Sequence, residues 1–233
     1  MMLKSLIIAV LSIHTVYSSE LESFPSIGPE SSIGCVVRQT QSGQTFHSVA
    51  TLVDLPHRPE WRNRAIISRA VSLPASEVNN MTFALTKGFE VQEQKIVEVH
   101  QAPAVTFSPW WTLGFVDIIC HVDVAVGILE KPLALVTPLQ ISCDSSLLRN
   151  SRLREGSGNW ISPSRDGAFL YYHRPFKPGQ FDLKSKKIGT PLIKEVDKIT
   201  YMLGMLQETT QAQDVFISLA ASKTWLNSVG SSQ

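Results

Sequence analysis

The sequence lacks the short motifs that build nucleotide, zinc or redox sites. It contains no G-x-G-x-x-G, no P-loop, no H-E-x-x-H, no C-x-x-C pair and no G-x-S-x-G turn. These absences argue against dinucleotide enzymes, P-loop NTPases, zincin proteases and hydrolases with a nucleophile elbow. We therefore predict a protein that is not an enzyme, with no catalytic residue, no metal and no cofactor.

Long apolar runs are also scarce. Beyond the N-terminus, the longest apolar stretch, residues 115–129, is interrupted by Asp117, His121 and Asp123, which makes a membrane span there costly. The N-terminus differs, because Lys4 precedes a short apolar run that ends in small residues at Ser18. This order predicts a signal peptide at 1–18, or alternatively a membrane anchor, followed by a flexible leader at 19–32.

Cysteine is too sparse to form a disulfide scaffold, since the chain contains only Cys35, Cys120 and Cys143. An oxidising compartment would allow one bridge with three alternative pairings and leave one thiol over. If the chain turns near Lys131-Pro132, Cys120 and Cys143 fall opposite each other on paired strands. We predict that pairing, and the alternative is three reduced thiols.

Only one acceptor triplet for N-linked glycans is complete. Asn80-Met81-Thr82 has the required third residue, whereas the triplets that begin at the other asparagines after residue 62 do not. If the chain enters the secretory pathway, the triplet predicts a glycan on Asn80 and a surface position for that residue.

Alternating apolar and polar residues dominate the chain from 33 to 143. The period of two is clear in residues 65–73, with Arg69 as the one violation, in 81–86 and in 115–126. Proline residues fall between these runs, as expected for turns and strand edges. Several short alternating runs predict a mainly β domain over 33–143, an antiparallel sandwich or jelly-roll-like fold.

The polar face of residues 115–126 is the nearest approach to a catalytic or metal constellation. Asp117, His121 and Asp123 lie at even spacings, so one strand would point all three in the same direction. Histidine with carboxylates can hold a divalent ion or share a proton. A solvated face explains the pattern equally, and a secreted hydrolase built on these residues is the least favoured function.

Residues 144–189 are strongly basic and rich in aromatic residues. Residues 149–187 carry nine Lys or Arg and three Asp or Glu, a net of +6, whereas the remaining 12 basic and 17 acidic residues give −5. Stacking on bases or sugars is expected from Trp160, Tyr171 and Tyr172. The predicted anion-binding residues are Arg149, Arg152, Arg154, Arg165, Arg174, Lys177, Lys184, Lys186 and Lys187.

The last segment, 190–229, has a helical spacing of apolar residues. Thr190 and Pro191 suit the start of a helix, and the apolar positions then step by three and four. The sequence thus predicts a C-terminal helical element docked on the sheet. Its apolar seam would also suit self-association, through Leu192, Val196, Ile199, Leu203 and Leu206.

Together these features predict an interaction protein of the secretory or endomembrane system, secreted or membrane-associated, that binds an anionic glycan, lipid headgroup or nucleic acid. The order of a β-rich core, a basic stretch and a terminal helix also resembles the layout of plant-virus movement proteins. That resemblance is of layout only, over about residues 33–206. It implies a viral accessory protein that binds single-stranded nucleic acid at the cytoplasmic face of host membranes.

Overall fold

The protein is described by a computed structural model. The described residues are 32–41, 43–55, 57–87, 90–107, 118–121, 123–134, 136–144, 160–163, 169–173, 188–196, 198–209 and 213–230. The predicted signal peptide and leader fall outside these ranges, except for Ser32.

Strands make up most of the described chain, which confirms the prediction of a mainly β protein. In chain order the strands and the one α-helix are β1 (Ile33–Thr40), β2 (Gly43–Asp54), β3 (Ala65–Ser68), β4 (Met81–Lys87), β5 (Glu90–Gln101), β6 (Ala104–Phe107), β7 (Ile118–His121), β8 (Ala125–Leu129), β9 (Leu139–Ile141), β10 (Trp160–Pro163), β11 (Phe169–His173), β12 (Pro191–Val196), β13 (Ile199–Thr209), β14 (Gln213–Ser218) and α1 (Lys223–Ser228). Short 3-10 turns cover Pro59–Trp61, Ala70–Ser72, Ala75–Asn80 and Leu219–Ser222.

Six of these strands close into a barrel. The antiparallel order is β1-β4-β5-β8-β3-β2, and β2 pairs again with β1 to complete the ring. The expectation of a sandwich or jelly roll is therefore wrong. Alternation along a strand is the same in an open and a closed sheet, and closure depends on which strands bond to each other.

The barrel interior is filled by large apolar side chains. Leu52, Ile66, Phe83, Ile96 and Leu129 come from five different strands, and each is at most 2% exposed. Because strand residues alternate in direction, each of these strands turns its other face outward.

The second sheet continues from the barrel through β9. The end of β2 pairs in parallel with β9 (Val53 with Leu139), and β9 pairs in parallel with β13 (Gln140 with Tyr201). From β13 the sheet continues antiparallel through β14 and β11 to β10, and β12 pairs with β13. The barrel and the second sheet are thus hydrogen-bonded into one continuous structure.

A shared core lies between the two parts. Val53 and Ile67 from the barrel pack in the same cluster as Met205 and Ile217 from the second sheet and Leu226 from α1. Beyond α1, the Val229 carbonyl accepts a hydrogen bond from Arg58 Nε at 2.9 Å, which returns the C-terminus to the barrel.

The helix predicted from residue 190 onward is largely wrong, because residues 191–209 form the hairpin of β12 and β13. Lys198 has a φ of 67° in the turn between them. The β13 residues 202–206 are all buried, so this strand is covered on both faces and shows no alternation. Only the short α1 remains of the predicted helical element.

The predicted self-association seam is divided by this hairpin. Leu192, Leu203 and Leu206 pack with Leu170 and Phe216 inside the chain. The remaining two positions are Ile199, which is 40% exposed, and Val196, which is half-buried. These five residues therefore do not form one exposed stripe, and self-association of the chain stays a prediction.

Candidate functional site

A polar cluster surrounds Asp123, in the connection between β7 and β8. Its carboxylate accepts a hydrogen bond from Arg69 Nε, and Oδ1 accepts another from the backbone N–H of Val71 at 2.9 Å. Both charged side chains are only 17% exposed. Such a half-buried pair is screened less by water than a surface pair, so each charge depends on its partner.

Strand pairing brings Arg69 and Asp123 together. β3 and β8 are antiparallel, with Ser68 opposite Ala125, so the residues just beyond each pair are neighbours. The 3-10 turn that follows Arg69 is fastened to the end of β5, because Gln101 Nε2 donates to the carbonyls of Ala70 and Leu73 at 3.2 and 3.0 Å. These hydrogen bonds fasten the turn beside Asp123 to the barrel.

A turn from the second sheet reaches the same end of β3. Gly189 has a φ of 91°, and a Cβ placed on it would lie 2.6 Å from the Val49 carbonyl oxygen. That carbonyl also accepts a hydrogen bond from Ser68 Oγ at 2.8 Å. Ile188, the residue before Gly189, therefore lies near the end of β3.

Two large apolar side chains are exposed in these segments. Val71 is 65% exposed although its backbone N–H is bonded to Asp123, and Ile188 is 48% exposed. Neither side chain has a group that can attack a substrate or transfer a proton. We call the region of Arg69, Val71, Asp123 and Ile188 the junction site. It combines an ion-paired carboxylate with exposed apolar side chains.

The hydrogen-bond partners of Asp123 differ from those of a catalytic-triad aspartate. An aspartate in a catalytic triad orients a histidine by accepting its N–H, whereas Asp123 accepts from the Arg69 guanidinium and the Val71 backbone amide. The ring of His100 packs near that of Trp61, with 5.4 Å between the ring centroids. Its Nε2 lies 2.8 Å from Glu98 Oε1, but the angles do not fit a hydrogen bond.

Metal ligation finds no support in the part of the chain that the structure describes, where no three His, Cys, Asp or Glu side chains are grouped to hold an ion. Asp117 and the side chain of His121 lie outside that part. The predicted strand over 115–126 is interrupted, because β7 ends at His121 and β8 begins at Ala125. Asp123 therefore lies in a connection and not on a strand face.

The nine predicted anion-binding residues all lie outside the described ranges. The three predicted stacking residues fall on neighbouring strands, with Trp160 on β10 and both Tyr171 and Tyr172 on β11. In the β10–β11 register Trp160 is opposite His173, and Tyr171 is opposite Ser162. The structure thus places the predicted aromatic positions together on adjoining strands.

Cys143 is half-buried, and its Sγ lies 3.5 Å from the Leu219 carbonyl oxygen. Burial raises the pKa of this thiol above its usual value, and the positive charge of Lys223 opposes that rise. Cys35 is buried in a separate cluster with Val37 and Ala84. The side chain of Cys120 is outside the described part, so the Cys120–Cys143 pairing stays a prediction.

The sequence contained a weak signal for the junction site. Arg69 is the single violation in an otherwise regular apolar strand, and Asp123 interrupts the next long apolar stretch. Two opposite charges in two apolar segments are candidates for a pair, because burying either charge alone is costly. What the sequence could not show is that β3 and β8 are neighbours.

Comparisons with known proteins add no identification. No protein-family model matches the chain, and no curated protein matches it either. Among the described residues, no helix has the length and apolar character needed to cross a membrane.

Proposed function

We propose that this chain is a non-enzymatic interaction protein that enters the secretory pathway and binds an anionic partner through residues 144–189. The observation that supports a non-enzymatic role is that the Asp123 carboxylate is bonded to a guanidinium and a backbone amide. The observation that supports an anionic partner is the division of charge along the chain, +6 within residues 149–187 against −5 elsewhere.

The first support comes from the chemistry at the barrel end. Antiparallel β-barrels are one of the scaffolds on which Ser-His-Asp triads occur, with a chain order of His, Asp and Ser in that class. In this barrel, the earlier residues that meet the aspartate are Arg69 and Val71. The later turn that approaches the same strand end has Ile188 before its glycine. None of the three supplies an imidazole or a hydroxyl, and a fold by itself does not imply an activity.

A serine-hydrolase probe tests this part of the proposal. A fluorophosphonate that labels activated serines should leave the purified full chain unlabelled, as it leaves a heat-denatured sample. Specific labelling of any serine in the folded chain, abolished by denaturation, would show an activated nucleophile and overturn the non-enzymatic assignment.

The second support is electrostatic. Cations concentrated in one segment lower the free energy of binding to a polyanion because counterions are released from it, and this gain weakens as salt rises. The acidic remainder of the chain leaves the whole protein at a formal net charge of +1. The attraction should therefore be local to the segment.

Binding to immobilised heparin, a single-stranded oligonucleotide and anionic vesicles separates the candidate partners. We expect tighter binding at low salt to one of the three, and a shallower salt dependence when Arg149, Arg152 and Arg154 are replaced with alanine. For a single-stranded oligonucleotide, losing three phosphate contacts lowers the slope of log K against log salt by roughly 2.

A matched control uses three exposed cations outside the segment, in the variant R62A/K95A/K131A. This variant removes the same total charge and should leave the slope unchanged. Equal effects of the two triple variants would mean that net charge alone governs binding, which contradicts a dedicated segment. Preference for the oligonucleotide together with a cytosolic chain would favour the viral alternative.

A further inference from the structure

The Asn80-Met81-Thr82 triplet occupies a position where the fold can accept a modification. We infer that Asn80 carries an N-linked glycan in the mature protein. The inference rests on the proposed entry into the secretory pathway, and it goes beyond that proposal by assigning a covalent modification to one side chain.

The triplet crosses from the surface into the core within two residues. Asn80 is the last residue of the 3-10 turn Ala75–Asn80 and is exposed, whereas Met81 begins β4 and is 1% exposed. Because a glycan is bulky and strongly hydrated, a folded domain accommodates one only on a side chain that stays in solvent. Asn80 meets that requirement without rearrangement of its neighbours in β4.

Two contacts hold the turn against the barrel. Arg38 on β1 forms an ion pair with Glu77 in the turn, with Nη2 2.7 Å from Oε2. Val78, the residue after Glu77, packs against the apolar cluster inside the barrel. These contacts fix the face that the turn presents, so the amide of Asn80 is directed away from the core.

The surroundings of Asn80 are polar. Ser76 and Asn79 in the same turn are exposed, as are Glu93 and Lys95 on the adjacent β5. A glycan here would therefore cover polar surface and displace no apolar contact that stabilises the barrel. The modification is expected to be neutral for folding.

The glycan would also lie away from the junction site. β5 passes Thr82 at Lys95 and reaches the 3-10 turn beside Asp123 at Gln101. These two β5 positions are six residues apart, or about 20 Å along an extended strand. The inferred glycan therefore leaves the Asp123 end of the barrel open to a partner.

The test is expression of the full chain in a secreting eukaryotic cell, followed by treatment with peptide-N-glycosidase F. We expect one glycan, seen on an electrophoresis gel as a single shift in mobility (the mobility step) that disappears on treatment. N80Q should abolish the step, and T82S should retain it because serine also completes the triplet. Asn79 is equally exposed but outside any triplet, so N79Q is the matched control and should retain the step.

A second arm separates failure of this inference from failure of the proposed secretory entry. Protease protection reports whether the chain is lumenal, and a heterologous signal sequence fused before Glu20 delivers it there regardless of its own N-terminus. A lumenal chain with no enzyme-sensitive step, in either form, overturns the glycan at Asn80. A natural chain that stays cytosolic while the redirected chain is glycosylated overturns the secretory proposal and, with it, the glycan on the natural protein, although Asn80 is then shown to be a competent acceptor.

Discussion

The barrel and the second sheet differ in how completely their strands are paired. Each of the six barrel strands has a barrel neighbour on both sides, whereas β10 and β12 each have one partner among the described strands. A closed sheet has no free edge, and an open sheet ends in strands whose outer backbone groups need another partner. Two described pieces of residues 144–189, β10 and β11, belong to this open sheet.

The barrel core should show the largest effect. Phe83→Ala removes a fully buried ring from the centre of the barrel, and we expect a loss of about 3–5 kcal/mol in the free energy of unfolding. Urea denaturation followed by tryptophan fluorescence measures it. Val97→Ala, at a β5 position that is 47% exposed, is the control and should change little. Equal losses would mean that the barrel interior is not the main source of stability.

The contact between the two parts is expected to come next. Gly189→Ala introduces a Cβ at 2.6 Å from the Val49 carbonyl oxygen and imposes an unfavourable φ on alanine. We expect a loss of about 2–4 kcal/mol in thermal or urea unfolding. Gly43→Ala has the same sign of φ but no atom within 4 Å, so the difference between the variants isolates the contact with the barrel. No difference would show that the turn is not held against β2.

The half-buried ion pair should have a smaller effect than the glycine contact. Asp123→Ala leaves the Arg69 guanidinium without its carboxylate, and we expect a loss of about 1–3 kcal/mol. The surface pair of Arg38 with Glu77 is more exposed, at 40% and 31%, so Glu77→Ala should cost at most about 1 kcal/mol. A double-mutant cycle that combines Asp123→Ala with Arg69→Met measures the coupling energy between these two side chains. A coupling near zero would contradict a site held by this pair.

Alkaline pH should have the smallest effect, through Cys143. Because burial raises the pKa of this thiol, folding favours its protonated form. The resulting stability is fully present below the unfolded pKa and is lost as pH rises through the higher folded value. Lys223 lowers the pKa, so Lys223→Ala should slow alkylation of Cys143 by iodoacetamide at a given pH near 9. Mass mapping of the labelled peptide measures the rate, and an unchanged rate would argue against this interaction.

The sequence was sufficient for the strands of the barrel region but not for their arrangement. Alternation in residues 81–86 correctly predicted β4, whereas only residues 65–68 of the predicted run 65–73 form a strand, β3, and residues 70–72 form a 3-10 turn. Closure could not be predicted, because it requires β1 to bond to both β2 and β4. Pairings between distant strands leave little trace in one sequence.

The prediction of a helix from residue 190 onward failed for a physical reason. Apolar residues in β12 and β13 happen to recur at intervals of three and four. Both faces of β13 are buried, so a period of two was absent. Gly204 is informative in retrospect, since a Cβ there would lie 2.6 Å from the Ile217 carbonyl oxygen. A glycine in an apolar run is more consistent with close strand approach than with a helix.

The parallel pairing of β2 with β9 has a consequence for the order of events during synthesis. All six barrel strands precede residue 130, so the ring can close while the chain is still being made. Val53 and Asp54, at the end of β2, must wait for β9 and then for β13. Pairing across such separations is slow, and the emerging chain will expose this short segment until its last third leaves the ribosome. The pairing of β2 with β9 is therefore expected to form late in folding.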